Sequence, residues 1–297
     1  MHTGPRRRLG IDLGGTKIEG VVLDEANQPL FRYRIATESA GGYDHIVERI
    51  ALLAERLRRE APECEAVGIG TPGSVSARDG TMKNCNTTCL NGRRLPEDLT
   101  RRLGLPLRIE NDANCFALAE AVAGAGRGAA LVFGVILGTG VGGGIVHRGE
   151  LLRGPQHLAG EWGHHCIDPN GPACYCGQRG CVETFIAGPA IQAQYRTVAG
   201  VALYVPQIVA RHRAGEPAAM EIIRRFVDRF GRALANIVDI LDPDVVVLGG
   251  GLSNIDELCT LGREAAARYV FNDELRTPIL RNQLGDSAGV IGAALLM

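Results

Sequence analysis

The chain has 297 residues, 45% of them hydrophobic, with a formal net charge of −1 and nine cysteines. That length gives room for a large core in two domains, and the balanced charge excludes the basic field on which a nucleic-acid binder depends. No apolar run reaches the roughly 18 residues of a membrane span. No apolar segment follows Arg6-Arg7-Arg8 as in a secretory leader, and an odd cysteine count favours reduced thiols over a disulfide framework. A cytoplasmic protein with neither membrane nor nucleic-acid partner is expected.

In chain order, Arg6-Arg7-Arg8 reads as a solvated start. Leu9 to Asp12 reads as a short apolar strand entering Gly14-Gly15-Thr16-Lys17. Val21 to Leu23 returns as its hairpin partner, and Phe31 to Ile35 alternates as a third strand. Ile46, Ile50, Leu53 and Leu57 recur at helical spacing and predict a helix over 43–60. Ala66 to Gly70 is a buried strand ending at Thr71-Pro72-Gly73. Leu107 to Glu110 is another, with Asn111-Asp112 at its C-terminal end and an Ala-rich helix following to about Val122.

The opening then recurs. Leu131 to Leu137 runs into Gly138-Thr139-Gly140, and a return strand reaches His147, so that strand, Gly-Thr turn and strand occur twice, about 125 residues apart. After a cysteine cluster come helices. The strongest spans 218–241, with Ile222, Ile223, Phe226, Phe230, Ala233, Leu234, Ile237, Val238 and Leu241 on one stripe and Pro243 as its stop. Val245 to Leu248 is a buried strand meeting Gly249-Gly250-Gly251, a helix is expected from about Asn254, and a last one over 284–297 starts at Asp286 or Ser287. Strands alternating with helices predict an α/β protein of two directly joined domains.

Three turns carry possible phosphate chemistry. In Asp12-Leu13-Gly14-Gly15-Thr16-Lys17 the glycines admit an anion to the backbone, Thr16 and Lys17 add donors, and Asp12 has the charge to hold Mg²⁺ through water. A ligand-free hairpin turn is the plain alternative. The spacing is neither a P-loop nor a dinucleotide fingerprint. Gly138-Thr139-Gly140 offers a second such turn, and Gly249-Gly250-Gly251, at a strand end before a helix, a third. Asn111-Asp112 is the best catalytic candidate, since a carboxylate there can accept a hydroxyl proton; a helix N-cap is the alternative.

Cys174, Cys176 and Cys181 lie within eight residues, with His164 ten residues upstream of Cys174. Three thiolates and one imidazole complete a tetrahedral Zn²⁺ shell with no position left for water, which is the mark of a structural metal. His165 is a rival ligand, and Gly177 and Gly180 let the chain double back. Glu161 and Glu183 flank the cluster. The other cysteines, Cys64, Cys85, Cys89, Cys115, Cys166 and Cys259, are expected to be buried or half-buried.

Taken together, Ile11-Asp12-Leu13-Gly14-Gly15-Thr16-Lys17, Glu110-Asn111-Asp112-Ala113-Asn114, Gly138-Thr139-Gly140-Val141-Gly142-Gly143-Gly144, Glu161-x-Gly163-His164 and Cys174-x-Cys176-Gly177-x-x-Gly180-Cys181-x-Glu183 resemble the ROK family of sugar kinases and sugar-responsive repressors. The resemblance implies a two-domain actin-like ATPase (ribonuclease H-like) fold with a sugar and ATP cleft between domains and a zinc-binding loop. The smaller domain is expected over 1–112 and 284–297, the larger over 113–283. It implies Zn²⁺ on His164, Cys174, Cys176 and Cys181, taking His164 over His165. Sugar contacts are expected at Gly73, Asn111, Asp112, Glu161, His164 and Glu183, with Asp112 as base on the attacking hydroxyl. ATP and Mg²⁺ are expected at Asp12, Gly14, Gly15, Thr16, Lys17, Gly138, Thr139, Gly140, Gly250 and Gly251. His164 is expected to ligate metal through one ring nitrogen and meet a sugar hydroxyl with the other.

The segments 83–92 and 160–164 most resemble the bacterial fructokinase (mannofructokinase) branch, which implies conversion of fructose to fructose 6-phosphate; N-acetylglucosamine kinase or glucokinase is the alternative. Cys89, where an aromatic residue is expected, and the stretch 166–173 depart from that branch and would reshape its sugar pocket. A sugar-sensing repressor is the third reading, disfavoured because eleven residues before Asp12 leave no room for a DNA-binding domain. A homodimer is the default assembly.

Overall fold

The computed structural model describes residues 7–297, so Arg6 of the basic run lies outside the described residues. The chain folds into two compact units, one formed by the chain up to Arg127 with Gly149–Ala159 and Leu284–Met297, the other by Gly128–Arg148 and Gly160–Gln283.

In the first unit five strands pair in the order Pro29–Ala36, Lys17–Leu23, Arg8–Leu13, Val67–Thr71, Leu107–Asn111. The first two pairings are antiparallel and the last two parallel. Pro29–Ala36 alternates between exposed and half-buried residues, as an edge strand does, whereas every residue of Val67–Thr71 is buried. Helices cover both faces. Gly20 lies under Leu53 and Leu57 of the helix Gly42–Glu60, while Gly10, paired with Val21 beside it and so on the opposite face, lies under Val290 and Ala294 of the C-terminal helix Ala288–Leu295. That helix comes so close because Gly10 and Gly68, partners in register, leave its backbone a trough.

The boundary expected after Asp112 falls instead after Arg127. The helix Asp112–Ala123 stays with the first unit because it packs backbone to backbone along the C-terminal helix: a Cβ on Gly292 would overlap the Cys115 carbonyl. The last helix is also shorter than expected. A 3₁₀ turn over Gly285–Ser287 precedes Ala288–Leu295. A helix over Leu95–Leu103 was not expected at all.

The second unit repeats the plan. Its strands run Val141–His147, Leu131–Leu137, Val245–Gly249, Ile279–Arg281, a hairpin followed by two parallel pairings. The helix Pro217–Leu241 buries Ile222, Ile223, Phe226, Phe230, Ala233 and Leu234, while Ile237, Val238 and Leu241 are half-buried or at the rim. Asp242 ends it in the left-handed region, one residue before Pro243. After Val245–Gly249 the chain makes a 3₁₀ turn over Gly251–Asn254, and the helix expected near Asn254 starts at Glu257. Among the described residues no helix is long and apolar enough to cross a membrane.

Candidate active site

In the first unit the parallel pairings bring Asp12, Gly70 and Glu110 side by side at the C-terminal ends of three neighbouring strands, with Asn111 opposite Thr71. Open α/β sheets bind their ligands at such ends. Asp12 is walled by small residues: a Cβ on Gly70 would stand 3.2 Å from its Oδ1, and one on Gly289 3.0 Å from its Oδ2. Burial above all, with the charges of Asp112 and Glu19, raises its pKa to about 7, and Lys17 opposes them. Asp112 follows Glu110 and Asn111 at the same end of the sheet as Asp12. Asp112 itself is exposed, at the first position of its helix.

Asn111 does cap that helix, its Oδ1 accepting from Ala113 N at 2.9 Å. The capping reading therefore holds at Asn111, and the next residue, Asp112, is exposed. The motif's first residue, Glu110, received no role in the sequence. It is buried, and its carboxylate accepts from the Asn111 backbone N–H (3.0 Å), Asn114 Nδ2 (3.0 Å) and Arg153 Nε (2.6 Å). Glu110 thus clamps the strand-to-helix turn that carries Asp112. Only a tertiary contact identifies Arg153, 43 residues away.

The first glycine turn is braced from outside. Gly14 N donates to Lys17 O (2.9 Å), Thr37 N to Thr16 O (3.0 Å), and the buried Thr37 hydroxyl to Gly14 O (2.7 Å). Gly15, Thr16 and Lys17 are left exposed at its tip. Behind it, Glu19 is buried and neutralised by Arg32 and Arg34. Gly73 is packed hard against Cys85, so a side chain there would displace the 83–92 loop, which Asn91 pins through both the N–H and the carbonyl of Cys85.

In the second unit Gly138, Thr139 and Gly251 line one cavity of about 460 Å³, together with Tyr204, Val205, Pro206 and Ile255, whereas Gly140, expected to face the nucleotide with them, lies against Glu183 instead. Thr139 and Gly251 are exposed to it. Gly250 is required by the backbone: its φ is +79° and a Cβ would overlap the Leu137 carbonyl. Of the two glycines expected to face a nucleotide here, Gly251 lines the cavity, and Gly250 makes the bend that lets it do so.

Glu183 sits on the same turn. Its Oε2 accepts from Val141 N at 2.8 Å, and a Cβ on Gly140 would stand 2.7 Å from that oxygen. Trp162 is buried beside it, donating Nε1–H to Gly142 O at 2.9 Å, and Gly163 lies against the Val141 carbonyl. These contacts seat Glu161 and His164, at either end of the 3₁₀ turn, on the base of the second glycine turn.

The loop between Glu161 and Glu183 gathers a donor set. The ligand atoms of His164, Cys174, Cys176 and Cys181 all lie within 4.8 Å of one another, with Cys174 Sγ 3.5 Å from His164 Nδ1 and Cys176 Sγ 3.6 Å from Cys181 Sγ. His165 is turned away: its Nδ1 donates to Trp162 O (2.6 Å) and its Nε2 meets Asn236 Nδ2 (3.2 Å). Burial lowers its pKa, against the effect of the Trp162 carbonyl, in keeping with a neutral ring. Gly180 has a φ of +67°, and its Cβ would overlap the Asp168 carbonyl, so only glycine lets Cys181 rejoin the pair. The second nitrogen of His164 is not open as expected: Nε2 lies 3.0 Å from the Tyr175 hydroxyl. Of the remaining cysteines, Cys166 is exposed, against expectation.

The ROK family model matches residues 8–297. The chain belongs to the ROK family. It is 37% identical over 298 residues to N-acetylgalactosamine kinase AgaK of Shewanella sp. (strain ANA-3), covering 97% of this chain and 95% of that one. It is 38% identical over 298 residues to the N-acetyl-D-glucosamine kinase of Photobacterium profundum, covering 97% and 98%. The crystal structure of the ROK hexokinase from Thermus thermophilus superposes with a TM-score of 0.88 at 34% identity, covering 98% of this chain and 97% of that one. The actin-like ATPase fold expected from the ROK motifs is therefore the fold of this chain. The fructokinase branch suggested by 83–92 and 160–164 is not the branch of these relatives.

Proposed function

We propose that the chain is an ATP-dependent kinase of an N-acetylated hexosamine, N-acetylglucosamine first. The observation that carries the phosphotransfer reading is the exposed Asp112 carboxylate, held by the Glu110 clamp beside the recessed Asp12. The choice of sugar rests on the N-acetylhexosamine kinases to which the chain is similar, and it replaces fructose, for which only short segments spoke.

Asp112 accepts the proton of the sugar hydroxyl as that oxygen bonds to the γ-phosphorus and the bond to ADP breaks. Asn111, Glu161, His164 and Glu183 are assigned to sugar hydroxyls, and Gly73 to the wall that sets the 83–92 loop. The Gly14–Lys17 turn and the cavity of Gly138, Thr139 and Gly251 are assigned to the nucleotide. Asp12 is the residue for a hydrated Mg²⁺, which when bound would neutralise phosphate charge; Gly70 and Gly289 leave space beside the carboxyl, and the nearby negative charges of Asp112 and Glu19 that raise its pKa would be offset by a cation displacing the proton.

The four-donor set fits Zn²⁺. Bonds of about 2.3 Å to sulfur and 2.0 Å to nitrogen put tetrahedral edges at about 3.8 Å between sulfurs and 3.5 Å between sulfur and nitrogen, against 3.6 Å for Cys176–Cys181 and 3.5 Å for Cys174–His164 in a set whose members all lie within 4.8 Å. His164, Cys174, Cys176 and Cys181 would hold the zinc as a cross-link of the loop, and four protein ligands would leave it a structural role. With Nδ1 on a metal, His164 would donate Nε2–H to Tyr175, which would fix the ring. Tyr175 is 75% exposed and free to swing into solvent, and only then would the same proton meet a sugar hydroxyl.

The test is kcat/KM for N-acetylglucosamine, N-acetylgalactosamine, glucose and fructose with ATP. N-acetylglucosamine is expected to exceed fructose at least about a hundredfold, the scale on which a site built around a polar substituent rejects a sugar lacking it. Fructose ranking first would return the assignment to the fructokinase branch.

A further inference from the structure

A second cavity of the same unit, about 480 Å³, opens beside the helix Pro217–Leu241 and takes in four of its arginines: Arg224, Arg225, Arg229 and Arg232. Arg225, Arg229 and Arg232 follow at helical spacing and so share one face. Pro172 of the metal loop and Phe185 give it an apolar floor. None of these residues belongs to the sets assigned to sugar, nucleotide or zinc.

The positive charge is incompletely answered. Arg224 and Arg225 share a single carboxylate, Glu221, at 2.9 and 2.6 Å. Asp228, the only acid among the described lining residues, is engaged by Arg268 (3.1 Å) and the Tyr269 hydroxyl (3.0 Å). Arg229 stands over the Phe185 ring, 4.7 Å from its centroid, and reaches Asp168 only at 3.5 Å. Arg232 has a tyrosine face, Tyr269, at 5.4 Å. Guanidiniums resting on rings keep their N–H forks for an anion.

We propose that this pocket binds a phosphate dianion, either free inorganic phosphate or the phosphate group of a small ester. Forked guanidiniums match phosphate oxygens in pairs. The volume suits a ligand up to the size of a phosphorylated monosaccharide. Arg229 and Phe185 tie the pocket to the metal loop, the first through Asp168 and the second two residues after Glu183.

Calorimetric titration of the wild type and of the double variant Arg225→Gln/Arg232→Gln with inorganic phosphate, with N-acetylglucosamine 6-phosphate and with neutral N-acetylglucosamine tests this. The wild type is expected to hold one more phosphate-bearing ligand than the variant, or to bind it at least about tenfold tighter, because each lost guanidinium removes charge-assisted bonds. Neutral sugar should bind both proteins alike. Equal stoichiometry and affinity for both phosphate ligands in the two proteins would overturn the proposal. A second measurement needs no variant: phosphate should slow phenylglyoxal modification of Arg225 and Arg232 in the wild type, read by peptide mass spectrometry. Unchanged rates would overturn it too. Whichever ligand protects at the lower concentration identifies the source of the phosphate. Because binding is read directly, the result is independent of which sugar the enzyme phosphorylates.

Discussion

Glu183 accepts a hydrogen bond from the backbone N–H of Val141 at 2.8 Å, which fastens the end of the metal loop to the second glycine turn. One carboxylate, proposed to contact the sugar, therefore ties the turn proposed to face phosphate to the loop that carries His164.

Gly140→Ala puts this link to the test. The new methyl would stand 2.7 Å from Glu183 Oε2. The side-chain end is the part that gives way, so the fold should survive while the carboxylate leaves its place. The expected outcome is a thermal midpoint close to wild type with a KM for sugar raised at least about tenfold, the worth of one charge-assisted hydrogen bond. Glu183→Ala should raise KM at least as far and also destabilise the protein, by about 1–3 kcal/mol, through the unsatisfied Val141 N–H. Wild-type KM in Gly140→Ala would mean that the position of Glu183 is irrelevant to the sugar.

The Glu110 clamp predicts a loss of rate without a loss of the base. Glu110 is buried and gathers three donors, so Glu110→Ala strands Asn114 and the Asn111 N–H and should cost a few kcal/mol. Arg153 is 40% exposed and solvent screens its pair, so Arg153→Ala should cost no more than about 1 kcal/mol. Denaturant unfolding checks the order, and kcat should fall in both variants. Equal stability of Glu110→Ala and wild type would show that the clamp does not exist in solution.

Asp12 gives a pH signature. Its folded pKa, about 7, lies above the ordinary carboxylate value of 3.8, so the folded state holds the proton more tightly than the unfolded state does. Its contribution to stability is complete below the unfolded value and is lost as the pH rises through about 7. Without added Mg²⁺, Asp12→Asn should therefore be more stable than wild type at pH 8, and the gap should close towards pH 4. Thermal melts across that range check it; parallel profiles for the two proteins would contradict the burial of this charge.

Removing the metal should act on the loop. Cys176→Ala takes one donor from the tetrahedral set, and Gly180→Ala blocks the bend that returns Cys181 to it. Both are expected to lower zinc content measured by mass spectrometry, from about one ion per chain, and to lower the thermal midpoint. Full zinc content in Cys176→Ala would dismiss the assigned ligands.

Much of this was legible in the sequence. The repeated strand, Gly-Thr turn and strand announced both sheets, because short apolar runs bounded by glycine have few other uses. The helix Leu95–Leu103 escaped because it is short, has Pro96 in its first turn and buries only Leu95 and Leu99. The cysteine spacing pointed to a four-donor cluster that could hold a metal but left His164 and His165 equal. Their separation comes from Trp162, whose buried ring and carbonyl turn His165 inward. Glu110–Arg153 and Glu183–Val141 span 43 and 42 residues and exist only once the chain has folded. The sugar was the least legible feature, because a hydroxyl and an acetamido group call on the same donor and acceptor residue types.

The most direct measurement is the kinetics of Asp112→Asn with ATP and N-acetylglucosamine, alongside the dissociation constant of the sugar. The substitution keeps size and polarity and removes only the proton acceptor, so kcat is expected to fall by at least about a hundredfold, with the dissociation constant within about threefold of wild type. A kcat near wild type would contradict Asp112 as the base, and with it the reaction assigned to this site.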